Sequence, residues 1–306
     1  MKRIEIVAPV HNRREITLQC LRSLARIDAE NLDVHIVIVD DGSSDGTSEK
    51  IRKEFPHVEI VAGDGNLWFT EGTNVGVRAA LKHNPDYVLM INDDQVFDSK
   101  FLERMVATAE KYPRSVIGPL LLLWDTPHKL FQVAPVWSTW AGDWQHWEQQ
   151  TVWTIPKKAW EVDSIVGNCV LVPVEAIREA GLMNSKRYPN FGDAEYTPRL
   201  RRKGWRLLIE PRARVFCQPN TIPKRVRNMS AREKLDALVF NLGHPQNLRR
   251  RFYANLDSAP TKLQGLIGYF NFFLRIGERK ITGKFTRKEK TEIDNSVYFA
   301  DAIVKD

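Results

Sequence analysis

Two short β-rich runs, residues 4–10 (IEIVAPV) and 34–39 (VHIVIV), bracket a segment where Ile16, Leu21, Leu24 and Ile27 recur at near-helical spacing. The chain therefore opens as strand, helix, strand. A second cycle follows: SSDGTSEKIRKEF starts a helix behind Ser, Asp and Thr caps, VEIVAG is a strand, EGTNVGVRAALKH a helix and YVLMIND a fully buried strand. Strands spaced by helices predict a mostly parallel, two-faced α/β sheet with right-handed crossovers. Past Phe97 the pattern predicts a helix from Phe101 to Lys111 and an apolar strand, SVIGPLLLLW. Regular patterning is then lost between Trp124 and Trp160. It returns at DSIVGNCVLVPVEAIREAGLM, a strand and a helix with Gly181 as its stop, followed by RYPNFGDAEYTPRLRRKGW as a loop entering a helix, and the strand RLLIEP. Beyond about residue 220 the chain reads as helical, basic and amphipathic, with no further strand signal and no repeat or low-complexity tract.

Composition narrows the class. With 306 residues, 43% hydrophobic and 27% charged, the chain can bury a core as one large domain or two fused ones. The start, MKRIEIVAPVHNR, runs straight into a strand and carries no secretory signal, and no run reaches the roughly 20 apolar residues of a membrane span. Cys20, Cys169 and Cys217 are an odd, widely spaced set without a CxxC, which argues against a disulfide framework or zinc site and for a reducing, cytoplasmic setting. The net charge of +7 is uneven: residues 221–306 hold 17 Lys and Arg against 9 Asp and Glu, while residues 1–220 hold 28 against 29. A basic end suggests an acidic partner surface, anionic lipid or nucleic acid. Within it, TKLQGLIGYFNFFLRIGERK has an apolar stretch of about 12 residues, too short to span a bilayer but long enough to lie in its surface, with Arg275, Arg279 and Lys280 at the headgroups. The same pattern also suits a helix packed on the rest of the chain or on a second subunit.

Candidate chemistry lies at strand ends. Asp40 and Asp41 close one predicted strand and Asp93 and Asp94 another, where ligands bind in open parallel sheets. Two acidic pairs on one edge repel unless something positive or hydrogen-bond donating stands between them. A divalent cation carrying a phosphate ester meets that need. Each Asp also suits a turn or helix cap, and DGSSDGT is rich in such residues. Seven of the nine tryptophans fall between 124 and 160, either as sugar-stacking faces or as the core of an irregular insertion; Trp140, Trp144 and Trp147, three and four apart, fit one face of a helix.

Taken in order, VAPVHNR, VIVDDGSSDGT, GNLWFTEGTNVG, INDDQVF and GNCVLVPVEAIREAGLMN…FGDAEYTPRLRRKGWRL resemble family 2 glycosyltransferases with a GT-A fold, especially the bacterial rhamnosyltransferase-like branch, over about residues 3–218. The resemblance implies a Rossmann-like, mostly parallel central sheet flanked by helices, with a helical C-terminal extension. It implies a nucleotide-sugar-binding half (1–100), an acceptor-binding and catalytic half of the same GT-A domain (101–220), and a basic amphipathic extension (221–306). Asp41 would hold the pyrimidine base, with Asp40 beside it; Pro9, His11, Arg13, Asn66, Asn74 and Asn92 would join the donor site, Asp93 would face the sugar or ribose, and Asp94 would bind Mg²⁺ or Mn²⁺. Asp193 matches the catalytic base, and Trp140, Trp144, Gly167, Asn168, Glu195 and Arg199 are candidates for the acceptor side.

The implied activity is inverting transfer of a sugar from dTDP-rhamnose or a UDP-sugar to a hydroxyl of a bacterial cell-surface glycan or lipid-linked precursor. Such a reaction needs a base for the acceptor proton and stabilisation of the departing diphosphate. The expected setting is cytoplasmic, peripheral on the inner face of the membrane, with a homo-oligomer as a further option and no nucleic acid partner. Two positions depart from the family pattern. Cys217 and Gln218 stand where a His near the metal is common, which puts strict metal dependence in doubt, and Gly192 stands where a Glu often precedes the base. A sugar nucleotidyltransferase or a dinucleotide-binding dehydrogenase would need glycines after the first strand, and APVHNRRE has none. A non-catalytic carbohydrate-binding protein on a decayed transferase fold is the remaining alternative.

Overall fold

The computed structural model describes residues 1–133, 136–145, 147, 150–218 and 229–282, with side chains of the last helix described through Arg275. In the first half, β1 (Lys2–Val10), α1 (Arg14–Leu24), β2 (Leu32–Asp40), α2 (Thr47–Glu54), β3 (Glu59–Ala62), α3 (Trp68–Ala80) and β4 (Tyr87–Ile91) alternate as the hydrophobic periodicity predicts. A short β5 (Gln95–Phe97), α4 (Phe101–Lys111) and β6 (Ser115–Leu123) follow. After the tryptophan-rich segment come β9 (Trp160–Glu161), β10 (Cys169–Pro173), α5 (Val174–Ala180), α6 (Asp193–Arg202) and β11 (Arg206–Cys217). Gly181 closes α5 with a positive φ of 75°, a conformation that costs glycine little.

These strands form one nine-stranded sheet in the order β3-β2-β1-β4-β10-β6-β11-β5, with β9 beside β11. β1 runs parallel to β2 and β4, and β6 parallel to β11, whereas β10 is antiparallel to both β4 and β6, and β5 to β11. The antiparallel β10 has a topological cause. β6 ends at the same edge as β1, β2 and β4, and β10 enters from that edge, with Cys169 opposite Ile91 at the end of β4. All five residues of β4 are buried, as expected for a strand covered on both faces.

Helix α3 is set unusually low on the sheet. A Cβ on Gly72 would come within 2.8 Å of Pro9 Cβ, and one on Gly76 within 2.3 Å of Val7 and 3.0 Å of Val39. Two glycines one helical turn apart thus let the α3 backbone rest on β1 and β2, which fixes the height of its first residues, Trp68 and Phe69, above the strand ends.

The tryptophan segment corrects one expectation. Residues 136–145 form a hairpin, β7 (Val136–Ser138) and β8 (Asp143–Gln145), with Trp140 in its turn, so Trp140, Trp144 and Trp147 share no helix face. The turn needs Gly142, whose φ is +61° and where a Cβ would fall 2.0 Å from the Gly268 carbonyl oxygen. Trp147 and Trp160 stack with centroids 5.9 Å apart against the main core, while Trp137 and Trp144 meet edge to face across the hairpin at 5.4 Å. Past residue 229 the described chain is helical: α7 (Ala231–Leu235), a π-helical turn (Asp236–Phe240), α8 (Leu248–Ser258) and α9 (Lys262–Thr282). The headgroup cations expected at Arg279 and Lys280 lie outside the described side chains.

Gly76→Ala should destabilise the fold by about 1–3 kcal/mol, because Val7 and Val39 sit in strands that cannot yield freely. Chemical denaturation of the variant checks this; unchanged stability would show that α3 can lift off the sheet.

Candidate active site

Four aspartates at the carboxyl edge of the sheet are each satisfied by a specific partner. Asp40 accepts from the Ser43 backbone N–H at 2.9 Å and from the Ser48 hydroxyl, which ties the turn after β2 to α2. Asp41, 7% exposed, accepts from the backbone N–H groups of Gly65 (2.8 Å), Leu67 (2.9 Å) and Trp68 (3.2 Å). Its carboxylate therefore holds the loop entering α3 and stabilises Trp68 at a φ of +57°, which few non-glycine residues adopt. Asp93 and Asp94 share the Arg13 guanidinium, which donates to Asp94 Oδ2 at 3.2 Å and to Asp93; the second Asp93 oxygen accepts from Thr17 Oγ1 at 2.8 Å. The repulsion between the acid pairs is thus answered by backbone donors at one pair and an arginine at the other.

Of these groups, Asp41 and Arg13 border a cavity of about 330 Å³ whose walls also include Pro9, His11, Trp68 and Asn190. His11 Nδ1 lies 2.6 Å from the Asp41 carbonyl oxygen and its Nε2 lies 2.9 Å from the Asn12 amide nitrogen, so the ring is held in one orientation. Asp40, Asn92, Asp93 and Asp94 do not line the cavity, although Asp93 and Asp94 reach it through Arg13. Asn92 is bound to Asn168, backbone to backbone at 2.9 Å. Asn66 is exposed in the loop that Asp41 organises. Asn74 is not brought to the cavity: its amide exchanges two hydrogen bonds with the Met183 backbone, at 2.9 and 3.0 Å.

Asp193 opens α6 on the far side of the loop that carries Asn190. Its Oδ2 accepts from the Gly167 N–H at 2.9 Å, and a Cβ on Gly167 would lie 2.2 Å from Asp193 Cβ, so only glycine lets the two approach. Burial raises the Asp193 carboxyl above the ordinary aspartate range, against the opposing pull of the Gly167 N–H and Arg250. Gly192 has its own reason: a Cβ there would meet Thr70 Cγ2 at 2.5 Å and Met183 Sδ at 3.0 Å, leaving no room for a glutamate. Glu195 and Arg199 form a brace instead. Arg199 donates to Glu195 at 2.8 Å and to the carbonyls of Ala180 and Leu182 at 2.7 and 2.8 Å, joining α6 to the end of α5. Trp140 is 64% exposed in the hairpin turn, and Trp144 lines a second cavity beside Asp193.

Residues 5–134 match the family model described as Glycosyl transferase family 2. Two N-acetylglucosaminyl-diphospho-decaprenol L-rhamnosyltransferases of Mycobacterium tuberculosis, from strains CDC 1551 / Oshkosh and ATCC 25618 / H37Rv, are each 22% identical over 206 residues, or 60% of this chain. The chain spans 66% of the length of each, just under two thirds. Among solved structures, GalNAc-T7 with UDP, GalNAc and Mn²⁺ superposes at a TM-score of 0.60 and 13% identity, over 94% of this chain and 58% of that one. S. aureus TarS 1-349 superposes at 0.55 and 14% identity, over 95% of this chain and 76% of that one, and has also been solved with UDP and with UDP-GlcNAc. The chain has the GT-A fold of the glycosyltransferase superfamily.

A GT-A site is often completed by a cation, and the resemblance places one at Asp94. The described residues do not fit a divalent ion held by the protein. Asp94 is paired with Arg13, and Cys217 is buried against Gln95, whose amide nitrogen lies 3.5 Å from its sulfur. Burial pushes the Cys217 thiol far above its usual range, so it offers no thiolate. Among the described residues no group of three or more His, Cys, Asp or Glu side chains is arranged to hold a metal. Trp68, Phe69 and Asn190 line the first cavity without having been singled out in the sequence; the pointer was an aromatic pair directly after a glycine turn, in GNLWFTEG.

The Asp193 shift has a sign that can be tested. A carboxyl raised on folding favours the protonated form, so its burden on stability is absent on the acid side of the ordinary aspartate range and complete once pH exceeds the folded pKa. Asp193→Asn should therefore stabilise the protein at neutral pH, and that gain should vanish in acid. Urea unfolding at both pH values checks it; equal or lower stability at neutral pH would mean that burial does not dominate.

Proposed function

We propose that the chain is an inverting, nucleotide-sugar-dependent glycosyltransferase whose donor is dTDP-rhamnose or a UDP-sugar and whose acceptor is a hydroxyl of a bacterial cell-surface glycan or its lipid-linked precursor. The observation that carries this reading is the place of Asp193 at the first residue of α6, within three positions of the walls of both cavities: Asn190 lines the donor-side cavity, and Phe191 and Ala194 line the second. A base between donor and acceptor is what direct displacement requires. The Asp193 carboxylate takes the proton of the acceptor hydroxyl as its oxygen bonds to the anomeric carbon. The bond from that carbon to the nucleoside diphosphate breaks with its electron pair on the leaving oxygen. Arg13, at the rim of the donor cavity, is the fixed positive charge that meets the growing anion. The curated relatives support a rhamnosyl donor and a diphospho-lipid acceptor by their names, and the UDP complexes of GalNAc-T7 and TarS support a pyrimidine diphosphate.

Calorimetric titration with UDP and dTDP, in EDTA and in Mn²⁺, tests the reading. One pyrimidine diphosphate should bind, with a loss of about tenfold in Arg13→Met, and Asp193→Asn should leave that affinity intact while lowering transfer by roughly 10²–10⁴-fold. A folded protein that binds neither nucleotide would return the chain to the non-catalytic, carbohydrate-binding class.

The peripheral setting has a structural counterpart in α9. Gly265 and Gly268 pack one face against Asn255 and Gly142, and Arg251 lies 3.6 Å over the Phe272 ring. The opposite face carries Leu263, Leu266, Ile267, Phe270 and Leu274, with Leu263 and Leu274 about two-thirds exposed at 66% and 67%. No described helix is long and apolar enough to cross a membrane. Lys262 and Arg275 flank this stripe within the basic extension, and that charge complements an anionic lipid surface as its occupant. Co-sedimentation with phosphatidylglycerol-containing vesicles, and not with phosphatidylcholine alone, is expected and should be lost in Phe270→Glu/Leu274→Glu. No lipid binding, or a dimer abolished by the same pair, would overturn this assignment.

A further inference from the structure

The second cavity, about 230 Å³, has walls from three distant parts of the chain: Trp137 and Trp144 of the hairpin, Phe191 and Ala194 before and within α6, and Arg250 and Asn255 of α8. The extension is pinned there. Ser258 donates to the Ala194 carbonyl at 2.5 Å, and Tyr188 to Asp257 at 2.7 Å. The cavity is therefore a built feature of the fold and not a gap between loosely packed pieces.

Its chemistry is unusual for a protein interior. Two adjacent guanidinium groups enter it, Arg250 at 3.9 Å over the Phe191 ring and Arg251 facing Asp143 Oδ2 at 3.3 Å. Burial, followed by the charge of Arg251, pushes Arg250 down to about 10, and among the described residues Asp143 is the one carboxylate in the cavity wall facing the two guanidinium groups. Four lining residues also carry a buried polar atom with no hydrogen-bond partner among the described residues: Trp137 Nε1, Trp144 Nε1, Arg250 Nε and Asn255 Oδ1. Buried polar groups are normally paired, and four unpaired ones on residues that line a single cavity, three of them donors, mark a place for an oxygen-rich ligand. Aromatic faces suit the C–H face of a sugar ring, and guanidinium pairs suit phosphate or carboxylate oxygens.

We propose that this cavity is the acceptor subsite and that it selects a saccharide unit bearing negative charge, with Arg250 and Arg251 on the phosphate or carboxylate and the tryptophans along the ring. The assignment rests on the reading of Asp193 as the base, and it adds an acceptor class that this reading leaves open. A neutral sugar would leave the two cations with Asp143 as the one carboxylate among the described residues of the cavity wall, so the site discriminates by charge.

Glucose 1-phosphate, glucuronate and methyl glucoside, each titrated into the full chain, test the proposal. At least one anionic sugar should bind about tenfold more tightly than methyl glucoside, and UDP should not displace it. Whichever anion is preferred identifies phosphate or carboxylate as the charge. Arg250→Gln should weaken that binding about tenfold, and Asp143→Asn, on an exposed residue, should strengthen it by removing the competing carboxylate, a gain that damaged folding would not produce. Equal affinity for the neutral sugar, displacement by UDP, or indifference to both substitutions would overturn the proposal. UDP titration of the same preparation reports separately on the functional reading, so loss of the acceptor preference with UDP binding intact isolates the failure to this subsite.

Discussion

The carboxyl edge of this sheet must keep four carboxylates, in two adjacent pairs, and the ways in which it does so shape much of the molecule. Asp93 is 1% exposed and both its oxygens are occupied, by Arg13 and Thr17 of the segment that opens α1. Asp41 is satisfied by three backbone N–H groups, which compels the chain between β3 and α3 to fold back over the strand end and holds Trp68 in its rare conformation. Removing either set of donors would leave a buried anion, a far larger cost than the loss of one surface contact. The acids therefore act first as organisers of the loops that wall the donor cavity, and only through those walls as parts of a binding site.

That double duty explains what could be read from sequence and what could not. The alternation of strands and helices through residue 123 was legible because each element buries one face with a clear period, and the need for a positive or donating partner between the acid pairs followed from electrostatics alone. Nothing in a linear pattern distinguishes a cation bound from solution from an arginine brought by the fold, and Arg13 lies 80 positions from Asp93. The direction of β10 was hidden for a related reason: its five apolar residues read the same in either direction, and only its tertiary pairing, with Cys169 opposite Ile91 at the end of β4, decides how it enters.

The hairpin and the extension were the least legible parts. Tryptophans spaced three and four apart suit a helix by periodicity, yet Gly142 with its positive φ imposes a turn, and the close approach of Gly142 to Gly268 is a contact between residues 126 positions apart that no local pattern encodes. Arg250 and Arg251 likewise belonged to a run of basic residues, NLRRRFYANL, indistinguishable in sequence from a solvated face. Their burial follows from α8 docking on the loop before α6, through Asp257 and Ser258, and so from tertiary packing.

The two glycines beside Asp193 join these layers. Gly167 follows the insertion and precedes β10, so its N–H is aimed at Asp193 by the same antiparallel entry that sets the sheet order. Gly192 lies against Thr70 of α3, whose height is set by Gly72 and Gly76 on β1 and β2. The carboxyl is thus positioned by backbone donors and by packing against rigid elements, and not by a flexible side-chain neighbour such as the glutamate common at position 192 in the family it resembles. An Asp oriented this way has little conformational freedom left to lose on binding a ligand, and its raised affinity for a proton comes from the enclosure itself. Moving α3 by even one methyl group would therefore be felt through Thr70 and Gly192 at the proposed base, although only Trp68 and Phe69 at the start of that helix line either of the two cavities described.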